Sequence, residues 1–279
     1  MSYRVQRRLG QALLVLVLSI GAVFVILPFV YMISTSLKGQ VYVFEFPPRF
    51  IPSQPTLNNF ASAWQSNNFG RYFLNSLLVA LSTTVLELFL SSTVAYAFAR
   101  FEFPGKNVLY YTLLATLMVP GMMLIIPQFM LASRLKLLDS LISLILVYTA
   151  GGIVFNTFLL RGFFEQLPRE LEEAALIDGG TPFTIFFRIL LPLSTPALAT
   201  VGIFTFLGAW DEYVWALTTI NDPLKRTLPI AIANFHGTHA SDWGLVFAGS
   251  LIAIVPVLIV FVLLQKYFIK GLTAGAIKG

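Results

Sequence analysis

Several small groups of side chains in this sequence have the types and spacing to do chemistry. Glu172, Glu173 and Asp178 lie close together in the stretch EEAALIDGG, between two long apolar runs. Asp211 and Glu212 sit in GAWDEYVWAL, flanked by Trp210, Tyr213 and Trp215. Aromatic faces beside hydrogen-bonding acceptors suit a sugar, which has apolar C–H faces and many hydroxyls. The alternative is an interfacial aromatic belt whose acids simply reach water. Glu87 and Asn156 stand alone within apolar runs. An ionisable group there is a functional candidate by default, and hydrogen bonding between helices is the other reading. His236 and His239 lie three apart with Asp242 nearby, but spacing alone is weak evidence and no metal is expected.

Other chemistries are excluded by what the sequence lacks. No G-x-x-x-x-G-K-[ST] phosphate loop occurs, and Gly105-Lys106-Asn107 is only a fragment of one; the chain is expected to bind no ATP by that route. No H-E-x-x-H or G-x-S-x-G motif is present, so hydrolase chemistry is not expected. Cys is absent, which removes disulfides, zinc-thiolate sites and thiol catalysis. The chain is read as a non-enzyme with no cofactor of its own.

The elements that carry these residues are membrane helices. Of 279 residues, 57% are hydrophobic and only 11% charged, against about 25% charged in soluble domains. The mean hydropathy is +0.81. The net charge of +5 comes from basic residues scattered at the ends of apolar runs, so nucleic acid is not an expected partner and lipid is. Six segments reach the length of about 20 residues needed to span a bilayer: 11–33, 72–99, 108–132, 140–162, 197–219 and 246–269. The predicted fold is therefore an all-α polytopic membrane protein, a single transmembrane domain over 1–279. The basic start MSYRVQRRLG is read as leading into a retained first helix, since no small-x-small cleavage site closely follows the run. Pro28, Pro120, Pro127 and Pro256 mark candidate bends. The Lys and Arg distribution favours both termini on the cytoplasmic side, with loops 34–71 and 220–245 outside and 163–196 inside.

Loop 163–196 reads as two short helices. Pro168 stands near a first helical position, acids fill the first turn, and Gly179 falls just past the end, the expected asymmetry of a helix with a favourable dipole. Thr181 is placed to cap a second helix with Pro182 just inside. Leu171, Ala174 and Ala175 are expected on one face, with Asp178 a turn further along. So short a helix is marginal alone. Its acidic face suits a protein partner better than anionic headgroups, which favour Lys/Arg-rich helices.

The run EAALIDGGTPFTIFFRILLP resembles the loop signature of ATP-binding-cassette importer permeases: Glu173, Ala174 and Ala175, then Gly179, then Ile189, Leu191 and Pro192 at the family spacing. NSLLVALSTTV, AYAFARFEFPGK, MVPGMMLIIPQF, FTFLGAWDEYVWAL, DWGLVFAGS and QKYFIKGLTAGAIKG extend the likeness to the carbohydrate-uptake branch. They are most similar to the second, six-helix permease subunit of maltose-type systems. The resemblance implies the type I importer permease fold, in a prokaryotic cytoplasmic (inner) membrane. It implies a second permease subunit, two ATP-binding subunits that use ATP and Mg, and an extracytoplasmic sugar-binding protein. Glu172, Glu173, Ala174, Ala175, Asp178 and Gly179 would then form the coupling helix seated on an ATPase subunit. Asn234, Phe235, His236, Gly237, Thr238 and His239 would lie in a loop that probes the binding protein. Trp210, Asp211, Glu212, Tyr213, Asn156 and Glu87 remain candidates for the substrate path. The C-terminal KGLTAGAIKG would touch the ATPase pair. Closely similar permeases import glycerol phosphate or polyols. A self-sufficient secondary transporter is the alternative of a different class, but the paired broken helices of such proteins are not found.

Overall fold

Apolar runs of this length form helices because lipid offers no partner to open backbone groups. The computed structural model describes residues 3–39, 41, 44, 46–66, 68–235 and 241–276, with the side chains of 3–6, 8 and 268–276 excepted. Among the described residues the fold is all-α. Its helices are α1 (Tyr3–Ser36), α2 (Asn58–Gln65), α3 (Phe69–Arg100), α4 (Lys106–Thr116), α5 (Ile125–Arg134), α6 (Leu141–Phe164) and α7 (Glu170–Ile177). They continue with α8 (Pro182–Ile185), α9 (Leu191–Leu193), α10 (Thr195–Asp211), α11 (Val214–Thr219), α12 (Leu228–Ala233) and α13 (Trp243–Ala276).

Four helices in this set are long and apolar enough to cross a membrane: Leu9–Ser36, Phe69–Arg100, Leu141–Phe164 and Trp243–Tyr267. Two bent pairs raise the number to six if each is one span. Lys106–Thr116 meets Gly121–Arg134 at 90°, across an extended Pro120 (φ −60°, ψ 126°), which has no N–H to continue the helix. Pro182–Leu193 meets Thr195–Asp211 at 77°, between Pro192 and Pro196. The apolar run 197–219 is interrupted: α10 stops at Asp211, Glu212 is extended, and α11 restarts at Val214.

The chain forms two compact units, Met1–Phe69 with Ile232–Ile254 and Gly70–Ala231 with Val255–Gly279. In the first, the Asn59 amide donates to the carbonyls of Ser36 (2.9 Å) and Lys38 (2.5 Å), closing the chain after α1. Phe44 packs against Trp243 at 4.9 Å between ring centroids. In the second, α3, α6 and α10 carry the core. Ala95, Ala99, Leu160, Phe164, Phe186 and Leu190 form one buried cluster. Val79, Leu144, Trp215 and Ile230 belong to another. Residues 221–228 are pinned to their own unit: Asp139 Oδ1 accepts from the Asn221 and Asp222 amides. Asn75 Nδ2 donates to the carbonyls of Leu224 and Arg226.

Candidate functional site

The loop following α6 is built by local capping chemistry and then fixed by packing. Helix α7 opens with Glu170, Glu172 and Glu173 in its first turn and closes on Gly179 at φ +81°, where a side chain is strained. The Gly180 amide returns to the Ala175 carbonyl (2.8 Å) and the Gly179 amide to that of Leu176 (3.0 Å), a Schellman ending. A Cβ on Gly180 would stand 2.7 Å from that Ala175 oxygen, so both glycines are needed. Thr181 Oγ1 accepts from the Thr184 amide (3.3 Å) and Pro182 begins α8, as the residue types indicate.

Packing then sorts the faces of α7 differently from the expected stripe. Ala175 packs on the cluster of α3, α6 and α10, together with Leu167 and Ile189. Leu171, Ala174, Leu176 and Asp178 stay exposed, and Ile177 is 86% exposed. Glu172 turns inward to Arg100 at the end of α3, with Nε to Oε1 at 2.5 Å and the two side chains only 6% and 15% exposed. Arg100 also donates to the Leu167 carbonyl (2.9 Å), and the Tyr96 hydroxyl reaches the Pro182 carbonyl (3.4 Å). The last turn of α3 thus holds the loop at three points. Glu173, one residue along, remains at the surface. Arg100 is a member of this site that motif reading missed; its place in the last turn of an apolar run was the available signal.

The quartet after Ala209 divides in two. Trp210 is core, stacked on Phe206 (5.7 Å) and edge-on to Phe73 (5.5 Å). Glu212 accepts from the Trp215 (2.7 Å) and Ala216 (3.1 Å) amides and from the Tyr148 hydroxyl, which makes it the cap of α11. Asp211 and Tyr213 are exposed.

Glu87 and Asn156 come together. The Asn156 amide donates both to the Glu87 carboxyl and to Thr205 Oγ1 (3.2 Å for the latter). Both side chains are buried, so α3, α6 and α10 are tied by one polar knot. A Cβ on Gly152 would collide with the Glu87 carboxyl; this close approach is what the glycine permits. Beside the knot lies a cavity of about 310 Å³, lined by Thr83, Glu87, Asn156 and Thr205 on its polar side.

In the loop assigned to binding-protein contact, Asn234 is exposed. Phe235 is buried and stacked on Phe69 at 5.7 Å. His236, Gly237, Thr238 and His239 lie outside the described residues.

Among the described residues, an all-α chain with several membrane-length helices and a helical loop clamped to them has the architecture of a multi-pass membrane protein. Residues 88–273 match the family described as "Binding-protein-dependent transport system inner membrane component", and the chain belongs to that family. It is 36% identical over 270 residues to the sulfoquinovosyl glycerol transport system permease protein SmoH of Agrobacterium fabrum, covering 97% of this chain and 95% of that one. It is 35% identical over 272 residues to the diacetylchitobiose uptake system permease protein NgcG of Streptomyces coelicolor, covering 97% and 88%. Among solved structures, a chain of a bacterial ABC transporter involved in the import of the acidic polysaccharide alginate superposes with a TM-score of 0.83 at 25% identity, over 96% of this chain and 99% of that one.

Proposed function

We propose that this chain is one permease half of an ATP-driven importer for a carbohydrate. It works with a second permease subunit, two ATP-binding subunits and an extracytoplasmic binding protein. Both termini and loop 163–196 face the cytoplasm, and loops 34–71 and 220–245 face outward. Helix α7 is the coupling element: Glu173, Ala174, Asp178 and Gly179 meet an ATPase subunit, while Glu172 and Ala175 hold the helix to the permease. Asn234 and His236 through His239 meet the binding protein, while the buried Phe235 anchors the start of that loop. The C-terminal segment contacts the ATPase pair.

The observation that carries this reading is the two-sidedness of α7. One face is fixed to α3 by an ion pair and by apolar packing. The other presents bare Leu171, Ala174 and Ile177. A helix of eight residues is too short to stand alone. Held rigidly from behind, it can transmit a push received in front to α3, α6 and α10. The names of the relatives reported above, sulfoquinovosyl glycerol and diacetylchitobiose systems, support the carbohydrate class.

Co-purification from detergent tests the assembly: a second permease and an ATPase pair are expected, and purification of the chain alone would point to a self-sufficient transporter. Uptake into proteoliposomes with the cognate binding protein, over a panel of mono- and oligosaccharides, polyols and glycerol phosphate, tests the substrate class. Uptake confined to glycerol phosphate or polyols would replace the sugar assignment.

A further inference from the structure

The two halves of the loop after α6 differ in chemistry. Helix α7 has three acids in its first turn and no basic residue. The segment Pro182–Leu193 has one base, Arg188, and no acid. It runs at 77° to α10, so where α10 crosses the bilayer this segment lies along the surface. Phe183, Phe187 and Arg188 are exposed on it, and Arg188 has no ion-pair partner among the described residues. Exposed aromatic rings beside a base are the composition of a segment seated in the headgroup layer.

A groove of about 270 Å³ runs between this segment and α3. One wall is Phe89, Thr93 and Ala97, spaced i, i+4 and i+8 on one face of α3. The other is Pro182, Phe183 and Phe187. Its only polar side-chain atoms are the hydroxyls of Thr93 and Tyr96, and they already donate to the carbonyls of Phe89 (2.7 Å) and Pro182 (3.4 Å). A sugar, a nucleotide or a polar peptide finds no spare donor there. From Phe89 to Phe101, just past the end of α3, the groove spans about 18 Å at the helical rise. That is close to the hydrocarbon depth of one leaflet, about 15 Å. Membrane helices approach one another through small residues, whereas the exposed rim here is Phe89, Phe101, Phe183 and Phe187. Bulky rings hold a helix backbone off; a slim, flexible hydrocarbon chain fits between them.

We propose that this groove holds an acyl chain of one anionic phospholipid, drawn from the leaflet on the α7 side, with the headgroup phosphate at Arg188. A guanidinium suits a phosphate, and a base just beyond a membrane segment favours anionic lipid. Buried Tyr96 and Phe186 line the groove and belong to the cluster on which Ala175 of α7 is seated. The lipid and the loop therefore share one support.

The test uses the full chain, with whatever subunits accompany it, in nanodiscs doped with phosphatidylglycerol that carries a diazirine in one acyl chain. Cross-linked peptides are read by mass spectrometry, and phosphatidylcholine with the same diazirine is the zwitterionic control. Thr93→Trp fills the groove from an exposed position. Ala97→Phe, on the same face, is a second filling variant, and size-exclusion elution checks the fold of each. The phosphatidylglycerol probe should label both walls, and either filling variant should remove most of that label. Arg188→Gln should lower labelling by phosphatidylglycerol about fivefold, the contribution of one basic group at an anionic surface, and leave labelling by phosphatidylcholine unchanged. Equal labelling of the walls in the wild type and in a folded filling variant would show contact with bulk lipid only and overturn the site. Equal labelling by the two probes in the wild type would overturn the anionic headgroup. A protein cross-link from p-benzoylphenylalanine in place of Phe183 to a second permease subunit would put a helix in the groove and overturn the lipid. None of these readouts needs transport, so the importer function stands or falls separately.

Discussion

Arg100 is the residue whose loss should separate the loop from the membrane helices. It has two partners at once, an ion pair with the Glu172 carboxylate at 2.5 Å and a hydrogen bond donated to the Leu167 carbonyl at 2.9 Å. Replacing it with Met keeps much of the volume and removes both. Breaking a buried ion pair by deleting one partner is unfavourable by about 3–5 kcal/mol, because the remaining charge is left unpaired. Glu172 retains 15% exposure and can recover some water, which places the effect near the lower bound, about 3 kcal/mol. The packing of Ala175, Ile189 and Phe186 on the α3 cluster is untouched, so the loss should appear as local opening of α7. At about 1.4 kcal/mol per tenfold, α7 amides should exchange with deuterium on the order of 100-fold faster, with amides in the middle of α3 unchanged. Arg100→Lys keeps a charge but lacks the planar guanidinium that reaches both partners, so its effect should be intermediate. In Glu172→Gln the Arg100→Met effect should shrink, the signature of a direct pair. Hydrogen exchange read by mass spectrometry on the assembled transporter gives the answer. A change in α7 of less than threefold in Arg100→Met would refute the clamp.

Two further substitutions probe the local chemistry. Gly179→Val forces a β-branched residue to φ +81° at a cost of about 1–3 kcal/mol. Substrate-stimulated ATPase activity should fall sharply while membrane insertion persists; Gly179→Asn, which tolerates the left-handed region better, should retain more, and equal activities would argue against the turn. Glu212→Ala removes the cap of α11 and the partner of Tyr148; a cap alone contributes about 0.5–2 kcal/mol, so the thermal midpoint in detergent should drop by several degrees, and an unchanged midpoint would show that the cap is dispensable.

Much of this molecule is legible along the chain, because the relevant forces are local. Apolar length dictates helices in lipid. The ending of α7 at Gly179 and the start of α8 at Thr181-Pro182 follow from backbone conformation and capping within a few residues. The bend at Pro120 follows from a missing N–H. What required the fold was the assignment of neighbouring, chemically identical groups. Glu172 and Glu173 are indistinguishable by type, yet one faces Arg100 and the other stays at the surface, because a helix turns about 100° per residue and only tertiary packing sets which azimuth is buried. Asp211 and Glu212 divide the same way: a break in the helix turns Glu212 onto the amides of α11. Glu87, Asn156 and Thr205 lie far apart in sequence and share no motif. Their meeting depends on how α3, α6 and α10 are juxtaposed, and that juxtaposition is the product of side-chain packing summed over three helices, which no local pattern encodes.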